Sequence, residues 1–339
     1  MNIQDAIKSL VAGRDLQQTE AALVMEQIMT GEATPAQIGA FLTALHLKGE
    51  TDAEIAGMAE VMREKAVQVH HAGPVLDTCG TGGDAANTFN ISTVAAFVAA
   101  GAGVTVAKHG NRAMSSRCGS ADVLEGLGVA IELDTEGVTR CLEEAGIGFM
   151  FAPKFHPAMR YAGPVRREIG IRTVFNVLGP LANPAHAEHQ VVGVATAPLA
   201  DKLANALARM GSRHALVVHG SDGLDELSLS APSAVWEVRS GQTPRRFEVM
   251  PEELGLRRAS REALLGGTVA ENVATIRRLL DGSDTGPRRD VVLLNAAAGL
   301  LAADRVGSFE EGITLARDAI DSGAAQTRLE RLVKVSQEA

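Results

Sequence analysis

Three glycines within four positions, in Gly80-Thr81-Gly82-Gly83-Asp84, follow a short apolar run at Val75 and Leu76, and Asn90-Ile91-Ser92-Thr93 leads into an apolar helical pattern from about Thr93. A strand that breaks into glycines before a helix leaves bare backbone N–H groups facing an anion. A second apolar run, residues 104–107, delivers Lys108-His109-Gly110-Asn111-Arg112 at its carboxyl end, with Ser115, Ser116 and Ser120 close behind. In an open α/β sheet the carboxyl ends of the strands are where ligands sit. N–H groups on one strand end and cations on its neighbour suit a multiply phosphorylated small molecule. Each charge-assisted hydrogen bond to phosphate is worth on the order of 1.5–3 kcal/mol.

Two further groups could do chemistry. Asp225-Glu226 follows Gly223 in a turn with three carboxylates, residues 222–227. Adjacent carboxylates on a regular strand point to opposite faces, so the pair shares a hard cation only in a turn or through water. Arg166, Arg167 and Arg172 fall on a basic helical piece and its exit; an arginine pointing inward there would clamp a planar carboxylate. A solvated basic or acidic turn is the commoner reading of each group taken alone. The glycines formally satisfy a dinucleotide-binding G-x-G-x-x-A pattern, but the following strand ends in Lys108-His109 where that reading needs an acid, and no Gly-Lys-Ser/Thr follows to make a Walker loop.

The elements that must carry these groups come in two kinds. Residues 1–70 read as helices only: Thr34-Pro35-Ala36-Gln37 and Thr51-Asp52-Ala53-Glu54 fit capping boxes, and Ile38, Phe41, Leu42 and Leu45, then Ile55, Met58, Val61 and Met62, fall on single apolar faces. From Pro74 short apolar runs alternate with helical ones, which indicates a mostly parallel sheet. Runs at 129–133, 148–152, 190–195 and 214–219 are expected as further short strand-like pieces, residues 236–249 as antiparallel strands, and the tail from Glu271 as helices. The expected fold is α/β: a small N-terminal all-helical domain, residues 1–70, with a later helical segment near 160–186 joining it, and a larger α/β domain, residues 71–339, whose mostly parallel central sheet is flanked by helices.

The 339 residues carry 32 Lys and Arg against 41 Asp and Glu, a net charge of −9 that argues against nonspecific nucleic-acid binding. Cys79, Cys118 and Cys141 are odd in number and form no CxxC pair, which fits a reducing compartment. No basic and apolar leader opens the sequence, and no apolar run has the roughly 18 residues of a spanning helix. A cytoplasmic protein without membrane contact is expected.

The glycine loop, Asn90-Ile91-Ser92-Thr93, Lys108-His109-Gly110-Asn111-Arg112, and Arg166-Arg167-Glu168-Ile169-Gly170-Ile171-Arg172 running on to Asn176-Val177-Leu178-Gly179-Pro180-Leu181-Ala182-Asn183-Pro184 together resemble the anthranilate phosphoribosyltransferases of tryptophan biosynthesis. The resemblance extends over nearly the full length. It implies a site at the hinge between the two domains, a homodimer formed through the helical domain, and transfer of a phosphoribosyl group from phosphoribosyl pyrophosphate to the amine of anthranilate. Carried over position by position, it implies that Gly80, Gly83, Asp84, Thr88, Asn90, Ile91, Ser92, Thr93, Lys108, His109, Gly110, Asn111, Arg112, Ala113, Met114, Ser115, Ser116 and Ser120 hold phosphoribosyl pyrophosphate. Gly80, Asn111 and Arg166 would contact anthranilate, Arg166 at its carboxylate, and Ser92, Asp225 and Glu226 would bind magnesium, about two ions per subunit. His109 and Asn111 are candidates for orienting the amine; no general base is identified. Residues 240–290 carry no motif. Two alternatives stand beside this reading: a pyrimidine nucleoside phosphorylase, which the Gly110-Asn111 pair disfavours, and a noncatalytic nucleic-acid-binding relative, which the intact glycine loop and the negative charge oppose.

Overall fold

Four helices form first, and their ends are written in the sequence. The computed structural model, which describes residues 1–113 and 117–339, places α1 at Ile3–Val11, α2 at Gln18–Thr30, α3 at Pro35–Lys48 and α4 at Asp52–Glu64. Both expected capping boxes close. The Thr34 hydroxyl accepts the Gln37 amide while Gln37 accepts the Thr34 amide, and Thr51 and Glu54 do the same. Glu54 goes further: fully buried, it also accepts the Leu16 amide at 2.9 Å and the Lys48 ammonium at 3.0 Å, so one carboxylate ties the α1–α2 link and the end of α3 to the start of α4.

The rest of the chain builds one seven-stranded sheet: β1 Leu76–Gly80, β2 Val106–Gly110, β3 Ile147–Phe151, β4 His189–Gly193, β5 His214–Gly220, β6 Ser233–Arg239 and β7 Arg245–Val249. The spatial order is β3-β2-β1-β4-β5-β6-β7. The pairings of β3 with β2, β2 with β1, β1 with β4 and β4 with β5 are parallel, and the last two are antiparallel. From β1 the chain turns one way to β2 and later returns on the other side as β4. The gap between the carboxyl ends of β1 and β4 is therefore the topological switch point, where such sheets bind ligands.

The two faces of the sheet bury different partners. One is covered by helix α5, Ile91–Gly101, and by the helices of the tail, in a core that includes Val94, Phe97, Val98, Val106, Leu216, Val235 and Leu294. On the other, Val192, Val194, Val217, Ala234 and Trp236 pack with helix Ala197–Arg209, and that core runs without a break into α1–α4. Ala162, Val165, Phe175 and Leu178, from the segment after residue 155, belong to this second core. Residues 129–133 form no strand: Val129, Ile131 and Leu133 are buried between helices Ser120–Leu127 and Thr135–Ala145 without pairing to the sheet. Apolar alternation there reports burial alone.

Candidate active site

The switch point is built by close backbone approach. Gly80 ends β1 and Gly193 ends β4, paired in register. Asp225 lies against both: a Cβ added at Gly80 would collide with its carboxylate, and one at Gly193 with its carbonyl. The Gly82 amide donates to Asp225 Oδ2 at 2.8 Å. Gly82 and Gly83 have φ of +63° and +84°, in the left-handed region, and Arg172 crosses so near Gly83 that a side chain there would meet its guanidinium. Arg172 Nη2 donates to the Gly82 carbonyl at 3.3 Å. These glycines are demanded by sterics as well as by any ligand.

Asp225 and Glu226 are half-buried, recessed below the surface though still within reach of water. Burial, reinforced by the Asp84 charge, pushes the Asp225 carboxyl up; burial and the Asp225 charge push Glu226 well up too, against the opposing pull of Lys108. Three recessed carboxylates with one ammonium among them are short of positive charge. That is the donor set of a hard-cation site. Ser92, in the first turn of α5, faces this group: its backbone offsets part of the rise at Glu226, and its hydroxyl lies 3.5 Å from Lys108 Nζ.

Lys108 is almost completely buried. It reaches from β2 beneath β1 to donate to the Thr78 carbonyl, so it approaches the site from underneath. Its neighbour on β1, Asp77, is fully buried and accepts the His109 amide at 3.2 Å and the Asn183 side chain at 2.7 Å, while Asn183 also bonds the Ala107 carbonyl. Burial raises the Asp77 carboxyl, with Lys108 counteracting. This lattice joins β1, β2 and the Gly/Pro-rich stretch, and it gives Asn183 a positioning role that its motif alone did not reveal. His109 packs against His156 with ring centroids 4.9 Å apart, and burial holds it down to about 3. It is a neutral ring at ordinary pH.

Beyond β2 the chain folds on itself. The Asp122 carboxylate accepts the Ala113 and Gly119 amides, each at 2.9 Å, and Arg112 pairs with Asp122 at 3.2 Å and with Glu125 at 2.7 Å. The Arg112 guanidinium is thus turned away from the switch point and stacks over Phe151. Asn111 is exposed, its carbonyl accepting from Ser120 Oγ at 3.4 Å and its side chain from the Arg112 amide. Met114, Ser115 and Ser116 lie outside the described residues.

Arg166 is the contrasting cation. It sits on helix Met159–Ile169, half-buried over the Phe175 ring at 5.2 Å, with no acid beside it among the described residues, and burial lowers its basicity. An unpaired, partly desolvated guanidinium against an aromatic ring is a receptor for a planar carboxylate.

The far wall of the site was not legible in the sequence. Residues 264–272 buttress the loop before α5: the Phe89 amide donates to Leu264, the Gly266 amide to Asn87, and Thr88 bridges to Leu265. The Asn272 side chain donates to Asn90 Oδ1 at 3.1 Å, while Asn90 donates to the Cys118 carbonyl at 3.1 Å. The Gly266-Gly267 pair and Asn272 are the available signals, and they lie too far along the chain to be assigned to the loop by pattern alone.

A helical bundle joined to an α/β sheet with a recessed carboxylate and glycine centre at the switch point defines a glycosyl transferase of the bundle-plus-sheet class. Residues 4–66 match the helical bundle domain of the glycosyl transferase family, and residues 72–326 match its a/b domain. Anthranilate phosphoribosyltransferases of Chloroflexus aggregans and Herpetosiphon aurantiacus are 70% and 69% identical, each over 99% of both chains. The crystal structure of the Thermus thermophilus anthranilate phosphoribosyltransferase superposes with a TM-score of 0.93 at 50% identity, covering 98% of this chain and 99% of that one. That of the Saccharomyces cerevisiae enzyme in complex with PRPP and Mg superposes with 0.89 at 30% identity, covering 99% and 98%. The chain belongs to the anthranilate phosphoribosyltransferase family, a group of pentosyl-transferring enzymes of tryptophan biosynthesis.

Proposed function

We propose that the switch-point site transfers the phosphoribosyl group of 5-phosphoribosyl 1-pyrophosphate to the amine of anthranilate, giving N-(5-phosphoribosyl)anthranilate and pyrophosphate. The observation that carries this reading is Asp225 wedged against Gly80 and Gly193 with the Gly82 amide on its carboxylate. The loop from Gly80 to Asp84, with Thr88, Asn90 to Thr93, and the 108–116 segment with Ser120, receives the phosphoribosyl pyrophosphate. Lys108 supplies positive charge from beneath; Arg112 shapes its own segment through Asp122 and Glu125.

Ser92, Asp225 and Glu226 would hold magnesium, about two ions per subunit. The excess of recessed negative charge at these residues fits a dication. When bound, magnesium offsets charge on the departing pyrophosphate.

Arg166 orients anthranilate by its carboxylate, with Gly80 and Asn111 beside it, so that the amine faces the anomeric carbon. The bond to pyrophosphate breaks as the amine attacks from the opposite side, and no side chain need become covalently attached. His109, neutral and packed on His156, shapes the wall and carries no proton in this step. The test is direct. Protein mixed with phosphoribosyl pyrophosphate, magnesium and anthranilate should quench anthranilate fluorescence only when all are present; unchanged fluorescence rejects the assignment.

This reading divides the chain into a helical domain, residues 1–70 with 160–186 joining it, and an α/β domain, residues 71–339; the core that α1–α4 share with Ala162, Val165 and Phe175 supports the joining of the later segment. The same reading takes the helical domain as the homodimer surface. Val11, Leu23 and Leu47 are exposed there, Leu47 at 80%. Sedimentation should show a dimer that Leu47→Asp weakens; a wild-type monomer at micromolar concentration rejects the surface. Three unpaired cysteines support a cytoplasmic setting, and no helix among the described residues is long and apolar enough to cross a membrane.

A further inference from the structure

The amino-terminal ends of the central strands carry a second cluster. His189 and His214 are the first residues of β4 and β5, and the parallel register pairs them directly. Side chains paired across neighbouring strands project from the same face. Here that face is the one covered by helix Pro287–Ala302, whose chain emerges two residues later at Asp304. His189 and His214 are 3% and 0% exposed, and Asp304 stands at the rim with its side chain 40% exposed. One ring nitrogen of each histidine and one carboxylate oxygen of Asp304 lie within 4.8 Å of one another.

One buried atom here lacks a partner. His189 Nδ1 makes no hydrogen bond, while the Ala302 carbonyl supports the His189 ring. A histidine that gives its one proton to a carbonyl keeps a lone pair on the other nitrogen, which is the arrangement that presents imidazole to a metal. His214 Nδ1 is 2.9 Å from Asp304 Oδ1. The charged neighbours are Arg239, which bonds Asp304 Oδ1 at 3.2 Å and Glu237 at 2.9 Å, Glu237 itself, 3.3 Å from His214 Nε2, and the Arg213–Glu188 pair near His189. Glu237 is also bonded by Arg245, so Arg239 can keep Glu237 as its partner when Asp304 turns.

We propose that His189, His214 and Asp304 form a binding site for a borderline transition-metal dication such as zinc, separate from the magnesium carboxylates at the other end of the strands. Two imidazoles and one carboxylate match zinc in ligand type, and the solvent side of Asp304 leaves room for water as a fourth ligand. Zinc ligands stand about 2.0–2.2 Å from the ion, so binding draws the three donors together: Asp304 turns at the rim and the two rings shift toward it. Bound metal would pin the end of helix Pro287–Ala302 to the starts of β4 and β5, a structural role.

The experiment uses full-length protein carrying Asp225→Asn and Glu226→Gln, so that the catalytic carboxylates do not compete. Cobalt(II) chloride titrated into the metal-free protein should give the visible d–d absorption of a nitrogen- and oxygen-ligated site at one equivalent, and zinc chloride should bleach it and raise Tm. Adding Asp304→Asn, a rim change that spares the core, should weaken cobalt binding by at least about tenfold, and adding His189→Gln should do the same. No cobalt spectrum, or an undiminished one in both further variants, overturns the proposal.

Discussion

The carboxyl ends of β1 and β2 are neighbours in the sheet, yet they are organised in opposite ways. At β1 the chain is shaped by what cannot fit: Gly80 and Gly193 have no room for a side chain beside Asp225, and the negative charge gathered there is left without enough counter-charge. At β2 the chain is already satisfied. Lys108 is bonded to the Thr78 carbonyl, and Arg112 is paired with Asp122 and Glu125. Counting cations in a sequence therefore overstates what a ligand can use, whereas a glycine crowded by a carboxylate marks the place where charge is stored for something else to neutralise.

That contrast can be broken at the β1 side first. Asp225→Asn with Glu226→Gln should lower kcat by roughly 10²- to 10³-fold and remove the response to magnesium. Because it deletes two recessed like charges, it should leave the metal-free protein at least as stable as the parent. Normal magnesium-dependent turnover, or a variant that unfolds more easily, would make these carboxylates structural. Next in size, Arg166→Ala should raise KM for anthranilate by roughly 10- to 100-fold with little effect on KM for phosphoribosyl pyrophosphate. An unchanged KM removes Arg166 from the site.

The buried histidines behind β2 give a smaller, pH-dependent effect. Burial lowers His109 to about 3 and His156 to about 4, so in the range below 6.5 the folded chain binds fewer protons than the unfolded one. Stability is then complete above about 6.5 and falls as the pH drops through that value. Between pH 7 and pH 5 the parent should lose about 1–2 kcal/mol more than His156→Gln, followed by chemical denaturation at each pH. Parallel losses would show that the His156 ring is not held neutral. The smallest effect is expected at Arg112. Its guanidinium and its partner Glu125 are exposed, so Arg112→Gln should change KM for phosphoribosyl pyrophosphate by less than roughly threefold. A tenfold change would show that the segment exchanges its acids for the ligand.

Much of this was legible in the order of residues because local rules and the global fold agree. The Thr34 and Thr51 capping boxes and the antiparallel pair β6 and β7 follow from short-range patterns. The glycine loop, Lys108 and Asp225-Glu226 could be named, but their mutual placement depends on β1 lying between β2 and β4, which no local pattern states. Residues 129–133 misled because burial between helices alternates much as a strand does. The buttress at 264–272 and the His189–His214 pair were hidden for the same reason: one rests on a contact across about 180 positions, the other on a strand register.

The most direct measurement is a crystal structure of the protein soaked with phosphoribosyl pyrophosphate and magnesium. The account predicts pyrophosphate oxygens on the backbone amides of the Gly80 to Asp84 loop, with metal density linking them to Asp225 and Glu226. A sugar lodged away from the β1–β4 gap, or metal with no contact to either carboxylate, would contradict it.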